Sequence, residues 1–152
     1  MKNGLKKFVK NLPGPESYCH CLIRCSPIQI EHVFPQKILP KQKRILNDPH
    51  NLYTCCAAIN KEKGPKLFGR DFILDNTKCD HQGALARSCL YMYDTYELDN
   101  IVDGKTVALW KVLDEIYEPL DFEYERNEMI FDYNGTWNHY IHTFEFYKDK
   151  LF

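Results

Sequence analysis

The chain is 152 residues long, with a formal net charge of −1, 44% apolar and 14% aromatic side chains. That composition excludes a disordered chain and fits one domain able to bury a core without covalent staples. No run is apolar enough to span a bilayer, and MKNGLKKFVKNLPGPE lacks the apolar segment of a signal peptide, so an intracellular setting without a membrane partner is expected.

The first dozen residues end at Leu12-Pro13-Gly14-Pro15, a turn or linker signal. Residues 1–15 are therefore expected as an N-terminal extension, and 16–152 as a single domain. Glu16 to Arg24 mixes aromatic, Cys and β-branched residues and is expected as a strand. Ile28 to Phe34 alternates apolar Ile28 and Ile30 with polar Gln29 and Glu31, the period of a half-buried strand. Pro35 stops it, QKILPKQKR is expected as a basic loop, and Asn47-Asp48-Pro49 as a turn. Thr54 is an expected N-cap for a short helix from Cys55 to Lys63, stopped at Gly64-Pro65, with Asn60 in its last turn.

Gln82 to Glu97 carries Leu85, Cys89, Met92 and Tyr96 at helical spacing. Residues 105–117 place Val107, Trp110, Leu113, Ile116 and Tyr117 on one side of another helix. Pro119 can open a third through Glu123, Arg126, Asn127 and Ile130. Strands early and helices late make the fold class α+β.

Seven cysteines, an odd number without C-x-x-C spacing, are expected mainly as reduced, buried thiols. CHCLIRC, Cys19 to Cys25, is the tightest cluster and an alternative zinc site. Residues 31–70 carry eight basic side chains against three acids, while residues 93–128 carry three against eleven. The basic segment favours a polyanion partner and the acidic one a solvated far face, though both also fit ordinary surface.

Within the basic segment lies IEHVFPQ, where Glu31 and His32 stand side by side at the end of an apolar strand. Phosphodiester hydrolysis needs a base for water, a metal for the phosphate oxygens and cations for the developing charge. His32 suits the base, because an imidazole with a pKa of about 6.5 is largely neutral at physiological pH. Glu31 suits Mg2+, which binds hard oxygens and keeps several waters. Neighbours on a strand point to opposite faces, so the pair can share a site only where the strand ends or bulges. Asn60, returning on the following helix, is the candidate second oxygen ligand. Alone, a Glu-His pair more often means a surface acid and a hydrogen-bonded core histidine.

EHVFPQ, then DPHNL, then INKEKGPKLFG resemble the core of the endonuclease I family, part of the wider His-Asn-His or ββα-metal group. The matching positions are Glu31, His32, Val33, Pro35, His50, Asn51, Leu52, Asn60 and Phe68. ALARSCLYMYDTY (84–96), Trp110, EYERNEMI (123–130) and NGTWNHYI (134–141) continue the likeness in order. Thr136, Trp137 and His139 depart from the family tail.

The resemblance implies a ββα-metal finger core with additional packed helices. It implies a monomeric, Mg2+-dependent, largely sequence-non-specific endonuclease acting on DNA, with RNA as a second substrate and Mn2+ or Ca2+ as substitute ions. His32 would be the general base, Glu31 and Asn60 the metal ligands, and Asn51 the clip that orients His32. Arg87 and Arg126 would support the site or the phosphate, with a salt bridge from Arg126 to Glu123 or Glu125 as the structural alternative. Lys43, Arg44 and Lys61 are the candidates for phosphate contact. Family members are commonly exported, so an intracellular or virus-encoded enzyme would be a different setting. Two other readings stand beside this one. The first is a non-catalytic nucleic-acid-binding module, zinc-stabilised through cysteines. The second is a Cys-His hydrolase using Cys55 near His50.

Overall fold

The computed structural model describes residues 1–14, 27–73 and 81–141. The expected strand from Glu16 to Arg24 and the CHCLIRC cluster lie outside them. Among the described residues the fold is mixed α/β, with six helices and a small two-stranded antiparallel sheet. None of these helices is long and apolar enough to cross a membrane.

Helix α1 (Asn3–Lys10) is amphipathic. Its Leu5 and Val9, one turn apart, pack on Leu52, with Phe8 and Ile30 alongside. Strand β1 (Ile28–His32) follows, then a one-turn helix α2 (Lys43–Leu46) inside the segment expected as a plain basic loop. A 3-10 turn, Pro49–Asn51, leads into strand β2 (Leu52–Cys56). The turn begins at Asp48, whose side chain accepts the His50 N–H at 3.0 Å, the capping expected of Asp before Pro.

The strands pair with Ile28 opposite Cys56, Ile30 opposite Thr54, Glu31 opposite Tyr53 and His32 opposite Leu52. This corrects the expected helix start. Thr54 is a strand residue rather than a cap, because Leu52 to Cys56 find ladder partners on β1. Helix α3 (Ala57–Lys63) then begins after Cys56 and ends at Gly64, whose φ of 53° is a region that favours glycine.

The buried face of β1 also differs from the alternation. Glu31 is 4% exposed and Ile28 is 37% exposed. A carboxylate goes inward here because a lysine from α3 meets it.

The rest is a helical body. Helix α4 (Gln82–Thr95) is buried from Gln82 to Met92, so it lacks a polar stripe. Helix α5 (Gly104–Ile116) packs against it, capped by Asp103, which accepts the Thr106 N–H at 3.1 Å. Helix α6 (Asp121–Asn134) follows Pro119 and ends at Gly135. Trp110 of α5 joins the two halves. Its indole N–H donates to the Phe68 carbonyl at 2.9 Å, and its ring meets Phe34 edge-on at 6.1 Å.

Cys55 and Cys89 are buried thiols outside any disulfide, as expected, but Cys56 is disulfide-bonded. The expectation of reduced thiols therefore fails at the β2–α3 junction.

Candidate active site

β1 ends at His32, and that ending removes the obstacle to a shared site. Glu31 and His32 both line one cavity of about 210 Å³, together with Lys37, Asn60 and Lys63. Among the described residues no three His, Cys, Asp or Glu side chains gather into a metal-holding group.

His32 is half-buried, and its Nε2 lies 2.8 Å from the Leu46 carbonyl at the end of α2. A carbonyl oxygen can only accept, so Nε2 carries the proton and Nδ1 keeps the lone pair. Burial holds the His32 pKa below its ordinary 6.5, against the Leu46 bond, and the nearby Lys63 charge lowers it further. The ring is thus neutral, one tautomer, and fixed in orientation.

Asn51 holds the backbone just beyond His32. Its Nδ2 donates to the Phe34 carbonyl at 3.0 Å, its Oδ1 accepts the Phe34 N–H at 2.6 Å, and its own carbonyl accepts the Val33 N–H at 3.0 Å. A side-chain amide here prolongs the sheet ladder by one step after β1 has ended. Asn51 does this while fully buried.

Asn60 sits on α3 facing β1. Its Nδ2 donates to Gln29 Oε1 at 3.1 Å, which leaves the amide oxygen as its donor atom toward a ligand.

Lys63 is the site residue that motif reading missed. Its ammonium pairs with Glu31 Oε1 and donates to the His32 carbonyl at 3.0 Å, with both side chains almost wholly buried. Helical spacing holds the only sequence signal. Lys63 lies one turn beyond Asn60, so it shares Asn60's face of α3.

The remaining candidates separate. Lys61 is exposed and lines an adjoining depression with Asn60 and Gln29. Lys43 and Arg44 are exposed on α2, and Arg44 lies over the Tyr96 ring at 5.4 Å. Neither lines the Glu31–His32 cavity.

Arg87 does not line it either. Its guanidinium grips both oxygens of Glu123 at 2.7 and 2.8 Å, and it also donates to the Tyr117 carbonyl at 2.6 Å. Arg126 donates to the carbonyls of Pro49 and Leu52 at 2.6 and 2.5 Å and stacks over Tyr53 at 3.9 Å. It braces the turn that carries His50 and Asn51.

His50 is buried beneath Tyr91, ring to ring at 4.4 Å, with Nε2 3.1 Å from Thr136 Oγ1. Cys55 is wholly buried, and its thiol donates to the Cys56 carbonyl. Nothing in that geometry presents a nucleophilic sulfur to a substrate.

No protein-family model matches the chain. It is 27% identical over 119 residues to Endonuclease-1 of Buchnera aphidicola subsp. Acyrthosiphon pisum, over 67% of this chain and 47% of that protein. The relationship is distant, and it is to a protein named as a nuclease. The chain spans about half the length of the curated relative it matches.

Proposed function

We propose that this chain is a metal-dependent endonuclease that hydrolyses phosphodiester bonds in nucleic acid with little regard to sequence. The observation that carries the reading is the neutral His32 ring, anchored through Nε2 to Leu46, in one cavity with Glu31 and Asn60. The run β1–β2–α3, whose first and last members line that cavity, supports a ββα-metal core, and the distant nuclease relative supports the reaction class.

The donor set fits Mg2+. Glu31 and Asn60 would hold it, one carboxylate and one amide oxygen, and the cavity leaves room for several waters, each about 30 Å³ in the liquid. When bound, the ion supplies positive charge to the phosphate and the leaving oxygen.

The other work falls to the chain. His32 Nδ1 accepts a proton from water, and the Nε2–Leu46 bond steadies the imidazolium that results. Asn51 keeps the strand end, and with it His32, in register. Lys63 brings a cation beside the cavity.

One observation favours a second reading. The Lys63 ammonium already neutralises Glu31, as suits a fold kept for binding nucleic acid without cutting it.

Cleavage of plasmid and of RNA by wild type and His32→Ala, with Mg2+ and with EDTA, separates the two. The nuclease reading expects cutting only with metal, and a loss of at least about 100-fold in His32→Ala. Binding by both proteins without cleavage by either overturns it in favour of the binding module.

A further inference from the structure

The N-terminal helix brings lysines beside the proposed site. Three depressions adjoin along β1. The first is the Glu31–His32 cavity, which includes Ile30 and Asn60. The second, about 480 Å³, is lined by Gln29, Asn60 and Lys61. The third, about 350 Å³, is lined by Lys6 and Lys10 of α1 and by Ile28, Gln29 and Ile30. Each two of them share a lining residue, Asn60, Gln29 or Ile30, so the three lie side by side along β1. We propose that this trough is a phosphate-binding tract along which a nucleic-acid backbone runs on from the catalytic cavity, an inference that rests on the nuclease reading above.

The charge pattern favours a polyanion. The three linings hold Lys6, Lys10, Lys37, Lys61 and Lys63, and their one carboxylate is Glu31, already paired with Lys63. Each helical residue turns the chain by about 100°. Leu5 and Val9 face the sheet, so Lys6 and Lys10, each one residue later, fall beside that apolar stripe and next to β1. Lys7, two residues after Leu5, turns away and lines none of the three.

The scale also suits a backbone. Five strand residues at about 3.3 Å each span roughly 16 Å. Phosphates of one strand advance about 3.4 Å each along the duplex axis and lie farther apart along the backbone itself, so the trough accommodates a short run of roughly two or three. Lysines without base-reading groups would grip phosphate and ignore sequence.

The test measures binding of a fluorescent DNA duplex and of matched RNA by the full chain, in EDTA, between about 50 and 200 mM salt. Wild type, the double variant Lys6→Ala with Lys10→Ala, and Lys7→Ala are compared. Alanine keeps α1 helical, since it is the best helix former. Hydrolysis of bis(p-nitrophenyl) phosphate with Mg2+ serves as the local readout, because that substrate is too small to reach α1.

The double variant is expected to bind at least about tenfold more weakly, and its log–log salt slope to fall by about two phosphates' worth, roughly 1.8. Lys7→Ala should bind like wild type, and all three should hydrolyse the small diester equally. Wild-type affinity and slope in the double variant overturn the tract and leave the nuclease reading intact. So does an equal loss in Lys7→Ala, which would mark general charge rather than the trough. If wild type binds duplex but does not hydrolyse the small diester with Mg2+, the nuclease reading falls alone and the affinity ratio still decides the tract. If wild type binds neither nucleic acid, both fall.

Discussion

Two buried ion pairs, one in each half of the molecule, have opposite characters. Arg87–Glu123 ties α4 to α6. Its guanidinium is planar and bidentate on the carboxylate, and its remaining donors reach the Tyr117 carbonyl and Asp114. Among the described residues, neither partner lines any of the depressions along β1. Glu31–Lys63 ties β1 to α3 and lines a cavity. Its cation is a flexible ammonium on a long stem, which another cation could displace. Burial and opposite charge are alike in the two pairs. What separates them is whether the partner is locked by geometry and whether a ligand can reach it.

The largest expected effect breaks the locked pair. Glu123→Ala leaves Arg87 buried without its main counter-ion and should lower stability by about 3–5 kcal/mol. Urea unfolding would measure it, and added Mg2+ should restore nothing. A loss below about 1 kcal/mol would mean that Asp114 and Tyr117 suffice to hold Arg87.

The second effect is covalent. Cys56 is disulfide-bonded where β2 hands over to α3. Reduction should cost about 2–4 kcal/mol and lower the melting temperature. A thermal melt unchanged by reductant would show that the bond adds nothing to the cleft half.

Third comes the exchangeable pair. Lys63→Met leaves the Glu31 carboxylate buried beside the cavity without its ammonium. The expected loss in EDTA is roughly 1–3 kcal/mol. Unlike the Glu123 variant, it should recover with Mg2+, by up to about 2.7 kcal/mol at a hundredfold excess over Kd. Equal failure of Mg2+ to rescue both variants would erase the distinction between the pairs.

The last effect is the smallest for any one step of pH and accumulates as pH falls. Burial, then the Arg126 charge, pushes the His50 pKa down to about 3 from its ordinary 6.5. Between those values the unfolded chain takes up a proton that the folded chain refuses. The His50 contribution is therefore complete above about pH 6.5 and is lost as pH falls toward 3, at about 1.4 kcal/mol per unit. Unfolding free energies from about pH 6 to 4 should show this slope in wild type and lose one proton's worth of it in His50→Gln. Parallel slopes would place the acid sensitivity elsewhere.

Much of the helical half was legible in advance. The apolar spacing of Leu85, Cys89 and Met92 marks α4 within two residues of its observed end, and Pro119 foreshadows α6. Such periodicities are local, and the core rewards them directly. The cleft half was less legible. Thr54 has the chemistry of a cap, yet a strand partner at Ile30 overrides it. Gln29 and Glu31 have the same place in the alternation, yet one is exposed and the other buried.

The sequence by itself determined the donor types of the proposed site, since Glu31, His32, Asn51 and Asn60 stand in segments whose order is visible along the chain. It bounded β1 only loosely: Pro35 predicts a strand as far as Phe34, yet the strand ends at His32, two residues sooner. Only the tertiary structure decided the pairings. Lys63 reaches Glu31 across 32 residues, and Leu46 reaches His32 across 14. Arg87 and Arg126, alike as buried arginines on helices, part company to serve a carboxylate and a pair of carbonyls. Local propensity acts within a few residues of chain. Burial obliges each polar group to find a partner, and which partner is in reach depends on how the helices and strands pack.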